Sequence, residues 1–125
     1  MMKIIMPHIV FDKKIDLQRF SKQFHPIFQK EPYLIKITTI FVDMDNRMAL
    51  FPSVVISDLH QQFLIEISTS DSKTTIRLYP GTDPEKTDGV KTSMALLAKQ
   101  IIELYPEFNI TKTNLHDYLE MVIHS

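Results

Sequence analysis

Phe63, Ile65 and Ile67 alternate with Leu64, Glu66 and Ser68. A two-residue period puts every second side chain on one face of an extended chain, so one face is apolar. Ser70-Asp71-Ser72-Lys73 then interrupts the run, and Ile76 and Leu78 resume the alternation within Thr75 to Tyr79. Two strands separated by so short a loop pair as a hairpin, because a parallel pair needs a crossover of roughly a dozen residues. The chain is thereby committed to an antiparallel pairing with one face to bury, and the remaining elements must supply the cover.

Helical patterns supply it. Val90, Met94, Leu97, Ile101 and Leu104 recur at helical spacing, and Pro106 stops the run. Thr82-Asp83-Pro84-Glu85 has the Thr-to-Glu spacing of a capping box, which predicts a helix over 84–105. Leu17, Phe20, Phe24, Ile27 and Phe28 share a second helical face behind Asp16, a good N-cap, which predicts a helix over 16–29 ending before Pro32. Asn114 stands as the cap of a last helix carrying Leu115, Tyr118, Leu119 and Val122 on one face.

Further strands are expected at 3–11, at 33–43, at 49–56 interrupted by Pro52, and at 108–111, with a turn at Asp43 to Arg47. The order β-α-β-β-β-β-α-β-α describes one α+β domain over 1–125. It predicts a two-layer sandwich, a mainly antiparallel or mixed sheet with two long helices on one face.

Composition removes whole classes of function. The 125 residues contain no Cys, which rules out disulfides, thiolate ligands and Cys nucleophiles. Only two glycines occur, too few for a phosphate-cradling or dinucleotide loop. The net charge of −1 gives no reason to expect nucleic acid as a partner. No apolar run reaches the roughly 20 residues of a membrane span, and the N-terminal stretch is not segmented like a signal peptide, so the expected setting is the cytoplasm, without a membrane. The histidines His8, His25, His60, His116 and His124 show no helical metal-site spacing, so no metal is expected.

Met6-Pro7-His8-Ile9-Val10-Phe11 places a Pro after a Met at the start of a β-rich run and ahead of an amphipathic helix. Ile35-Lys36-Ile37-Thr38 puts a base on a later strand. Glu103-Leu104-Tyr105-Pro106-Glu107-Phe108-Asn109 is followed by Asn114-Leu115-His116. In these stretches the chain resembles the tautomerase superfamily, nearest its 5-carboxymethyl-2-hydroxymuconate isomerase branch. The resemblance implies a β-α-β repeat, a homotrimer, and cofactor-independent keto-enol proton transfer on a small carboxylate. It implies Pro7 as the catalytic base and Lys36 as the carboxylate anchor. Arg77, between apolar neighbours on a strand, is a second candidate anchor, since guanidinium holds a carboxylate bidentately.

Each of these residues also has a plainer reading. Pro7 acts as a base only as an N-terminal secondary amine; behind Met1 to Ile5 its nitrogen is an amide, and Pro7 is then a strand-edge residue. Lys36 and Arg77 also fit a solvated strand face. The alternative function is accordingly a non-enzymatic assembly or ligand-binding α+β domain with Pro7 blocked by residues 1–5.

Overall fold

The computed structural model describes residues 6–124. Eight strands and three helices follow the order β1 (His8–Phe11), α1 (Leu17–Gln23), β2 (Ile27–Gln29), β3 (Leu34–Ile37), β4 (Phe41–Val42), β5 (Met48–Ile56), β6 (His60–Thr69), β7 (Thr74–Leu78), α2 (Asp88–Leu104), β8 (Ile110–Thr113) and α3 (His116–Ile123). The strands form one sheet in the order β2-β3-β5-β6-β7-β1-β8, with β4 also on β5. Every described pairing is antiparallel. The sheet curls into a half-barrel, and the class is α+β.

The hairpin that the alternation demands is present: β6 pairs with β7 from Ile65↔Leu78 to Thr69↔Thr74, around the loop at Ser70 to Lys73. Its inward residues Phe63, Ile65, Ile67, Ile76 and Leu78 are buried. Ile9, Phe11, Ile35, Ile37, Phe51 and Val55 extend the same apolar face. α2 lies against it through β3, β5 and β7, burying Val90, Met94, Leu97 and Ile101 completely. Each such side chain is worth roughly 1.5–3 kcal/mol of transfer free energy.

The sandwich of two long helices is not what forms. Only α2 is long, at 17 residues; α1 has 7 and α3 has 8. α1 begins as expected, with Asp16 accepting from the Arg19 N–H at 3.2 Å, but it stops at Gln23. Phe24 turns extended, with ψ 129, and Pro26 disfavours helical geometry at His25. Ile27 and Phe28 then belong to β2, and Phe28 is 53% exposed on the face opposite the helices. Their helical spacing was coincidental. With every pairing antiparallel, the expected β-α-β repeat is absent as well.

Smaller corrections have equally local causes. α2 starts at Asp88, capped by Thr87 in place of Thr82, because the Thr87 hydroxyl donates to buried Gln61 and accepts from the Val90 N–H. The 33–43 run divides into β3 and β4. Pro52 stays inside β5, opposite Leu64, whose N–H and C=O are taken by Thr82 and Tyr79 on its other side. The Pro52 nitrogen therefore faces the gap between β3, which pairs as far as Ser53, and β4, which begins at Leu50. A missing donor costs nothing in such a gap. The first expected strand begins at His8; residues 3–5 of that expectation lie outside the described residues. No helix among the described residues is long and apolar enough to cross a membrane.

Candidate functional site

The residues singled out by sequence do not converge. Pro7 is buried and immediately precedes β1. Just ahead of it, the Met6 carbonyl accepts from Asn114 Nδ2 at 2.9 Å and contacts His8 Nδ1 at 3.0 Å. Asn114 Oδ1 also accepts the His8 N–H at 3.0 Å. Asn114 therefore ties down the entrance to β1 and makes no cap; the residue before α3, Leu115, has no side-chain capping bond. The rest of the motif is similarly structural. Tyr105 donates to Gln23 Oε1 at 2.5 Å and packs on Phe20 and Phe108, while Asn109 binds the Asp12 carboxylate through its N–H and side-chain amide.

Arg77 sits across from His8 on β7. Its Nε donates to Glu66 Oε2 at 2.6 Å and its Nη2 to Oε1 at 3.4 Å, so Glu66 already occupies the fork. Lys36 sits on β3 with Nζ 5.6 Å above the Phe28 ring. It is the one charged residue lining a shallow depression of about 420 Å³ on the helix-free face, with Thr38, Gln62 and Thr82. Strands β5, β6 and β7 separate β3 from β1. At about 4.8 Å per strand, Lys36 and Pro7 are roughly 19 Å apart along the sheet.

A different place has the shape of a binding site. α2 carries two stripes. Val90, Met94, Leu97 and Ile101 enter the core, while Asp88, Thr92, Leu96 and Lys99 follow at offsets of 4, 4 and 3 on a neighbouring face. That second stripe, α3 through Asp117, Tyr118, Met121 and Val122, and the β2–β3 connection through Glu31, Pro32 and Tyr33 enclose a cleft of about 520 Å³. Gly89 allows the close approach of α2 to this region. A Cβ there would stand 2.5 Å from Val55 Cγ1 and 3.6 Å from Tyr33 Cγ.

The cleft is polar at fixed points. The Tyr118 hydroxyl donates to Asp88 Oδ1 at 2.6 Å. This bond to a carboxylate, reinforced by desolvation, pushes the phenol pKa up to about 12, so Tyr118 is neutral and a donor at physiological pH. Lys91 Nζ stands 5.6 Å over the same ring. The Thr92 hydroxyl is spent on the Asp88 carbonyl at 2.7 Å. Glu31, Asp117 and Lys99 form no ion pair among the described residues. Nor do the described residues hold any group of three metal-type ligands. The arrangement suits reversible binding: it offers aromatic and aliphatic walls, one oriented hydrogen-bond network and unpaired charges.

Of the cleft's walls, the sequence reads Tyr118 only as a helix-face residue, and its spacing singles out neither Leu96 nor the β2–β3 connection. The cleft depends on α2 and α3 packing together, which no local spacing encodes. No family model matches the chain, and neither curated proteins nor solved structures give a match.

Proposed function

We propose that this chain is a small-ligand-binding domain without catalytic chemistry, and that its ligand occupies the cleft between α2, α3 and the β2–β3 connection. The observation that carries this reading is the cleft itself, about 520 Å³ in volume, with the Tyr118 hydroxyl fixed on Asp88 at its wall. Cavities of roughly 300–1,000 Å³ with apolar walls and a few oriented polar groups are the usual form of small-molecule sites. The expected setting is the cytoplasm, which rests on composition. A fragment screen by two-dimensional NMR on the full chain tests the reading. Shifts should concentrate at Tyr33, Leu96 and Tyr118, and a screen whose hits all leave these amides unmoved overturns it.

A second reading keeps the proton transfer implied by the tautomerase resemblance. Its support is Lys36, the one charged wall of an open depression able to hold a carboxylate. With three strands between Lys36 and Pro7, such a site would combine Pro7 of one copy with Lys36 of another, which is the role a trimer would have. Ketonisation of phenylenolpyruvate by a form beginning at Pro7, with sedimentation of the same sample, tests it. The reading requires activity that Pro7→Ala lowers by more than about tenfold, the scale of general-base catalysis, together with an oligomer. An inactive monomer excludes it.

A further inference from the structure

Charge is segregated between the two sides of the molecule, which the net charge of −1 conceals. Glu66 is the only carboxylate on any described strand; every other Asp and Glu lies in a loop or a helix. Alternation with buried Ile65 and Ile67 turns Glu66 to the helix-free face of the sheet. There its side chain is 3% accessible and already bound by Arg77. The same face carries Lys36 on β3 and Lys112 opposite Val10 on β8, neither in an ion pair among the described residues. Asp83, in the loop after β7, is held by Lys86.

Aromatic rings stand among these cations. Phe28 lies opposite Lys36 and is 53% exposed. Its ring is flanked by two ammonium groups, Lys36 Nζ at 5.6 Å and Lys30 Nζ at 5.9 Å from the centroid. Phe41, opposite Leu50, is also exposed on this face. Beside Lys36 lies the depression of about 420 Å³, lined by Pro52, Val54 and Leu64 and by the polar Thr38, Gln62 and Thr82. Phe28, Lys36, Val54 and Gln62 form one row across β2, β3, β5 and β6. At about 4.8 Å per strand the row spans roughly 14 Å.

We propose that this helix-free face binds single-stranded nucleic acid, independently of the α2–α3 cleft. One base stacks on Phe28, and its neighbour enters the depression against Pro52 and Val54, with the Gln62 amide at its edge. The Lys30 and Lys36 ammonium groups turn from the ring to the flanking phosphates. Charge complementarity selects an anionic occupant, because the face holds lysines and no free carboxylate among the described strands. The exposed ring selects one with flat faces, and stacking on aromatics beside a basic track is how single strands are held. A second copy of the chain would set lysine against lysine on this face. An anionic membrane would strip water from Thr38 and Gln62 without replacing their hydrogen bonds. A duplex keeps its base faces stacked inside and offers Phe28 nothing.

The test titrates a labelled oligothymidylate of about 10 nucleotides, a length within the usual site range, into the full-length protein and reads anisotropy and amide shifts. The matching duplex, an abasic oligomer and phosphatidylserine vesicles are the controls. The single strand should saturate and shift the amides of Phe28, Lys36 and Gln62, while those of Leu96 and Tyr118 stay in place. The duplex and the abasic oligomer should bind at least about tenfold more weakly, the scale of one stacked base. Phe28→Ala should weaken the single strand by about tenfold and leave its salt dependence unchanged. Lys36→Gln should lower the slope of log K against log salt by about 0.7, the loss of one phosphate contact. Lys22→Gln, on α1, removes the same charge and should change neither. Unchanged thermal melts show that the variants fold. The proposal is overturned if the single strand does not saturate, if the abasic oligomer binds equally well, or if Phe28→Ala binds like the parent. Binding to vesicles without binding to the oligonucleotide overturns it in favour of a membrane surface, and shifts confined to Leu96 and Tyr118 place the ligand in the cleft instead.

Discussion

The Arg77 guanidinium and the Glu66 carboxylate face each other across β7 and β6, with Nε and Oε2 2.6 Å apart. The two partners differ in exposure: the Arg77 side chain is 49% accessible and the Glu66 side chain 3%. Glu66 depends on Arg77 more than the reverse. Arg77→Met should leave a buried carboxylate without its partner and destabilise the fold by about 2 kcal/mol, below the usual range for a fully buried pair because water reaches the guanidinium. Adding Glu66→Gln to that variant should recover part of the loss. Urea denaturation of the single and double variants measures both effects, and a harmless Arg77→Met would contradict the assignment.

Gly89→Ala tests the approach of α2 to the sheet. Alanine gains up to about 1 kcal/mol in helix propensity, but its Cβ would meet Val55 Cγ1 at 2.5 Å inside a fully buried cluster. Overpacking of this kind costs about 1–3 kcal/mol. The expected outcome is a net loss of about 1 kcal/mol in chemical denaturation, with amide shifts at Tyr33. A stabilised variant would show that the helix can slide.

Tyr118 should ionise near pH 12, far later than a free phenol, because its hydroxyl is bound to the Asp88 carboxylate. Asp88→Asn keeps an acceptor oxygen but removes the charge, so the Tyr118 pKa should fall back toward 10. The raised pKa also fixes the sign of the stability effect. The contribution of this bond is complete below pH 10 and is lost as the pH rises through about 12. The stability advantage of the parent over Tyr118→Phe should therefore narrow between pH 10 and 12. Tyrosinate absorbance and denaturation at several pH values read the two effects.

At the acid end the signs reverse. The Asp12 carboxyl is held below its ordinary value of 3.8 chiefly by the Asn109 N–H, and that of Asp16 by the Asn46 side chain and then the Arg19 N–H. Both contributions are complete above pH 3.8 and are lost as the pH falls through the lowered values. The stability gap between the parent and Asp12→Ala or Asp16→Ala should be constant near neutrality and close in strong acid. A gap that widens on acidification would contradict both hydrogen-bond assignments.

Period and punctuation alone determined the β6–β7 hairpin, the core stripe of α2, the turn at Asp43 to Arg47 and the Asp16 cap. Each depends on neighbours within a few residues, whose chemistry repeats the same backbone geometry wherever it occurs. Tertiary structure decided the rest. Ile27 and Phe28 could continue a helix or pair with Ile37 and Lys36, and the break at Phe24 together with strand pairing selected the second. The sequence offers Thr82 as the cap of α2, and the structure places the cap at Thr87, whose hydroxyl is held by buried Gln61. The separation of Lys36 from Pro7 and the joining of Glu31, Asp88 and Asp117 around one cleft are set by strand order and by the packing of α2 on α3. These contacts link residues tens of positions apart, and their free energy exists only once the whole sheet has closed around its core.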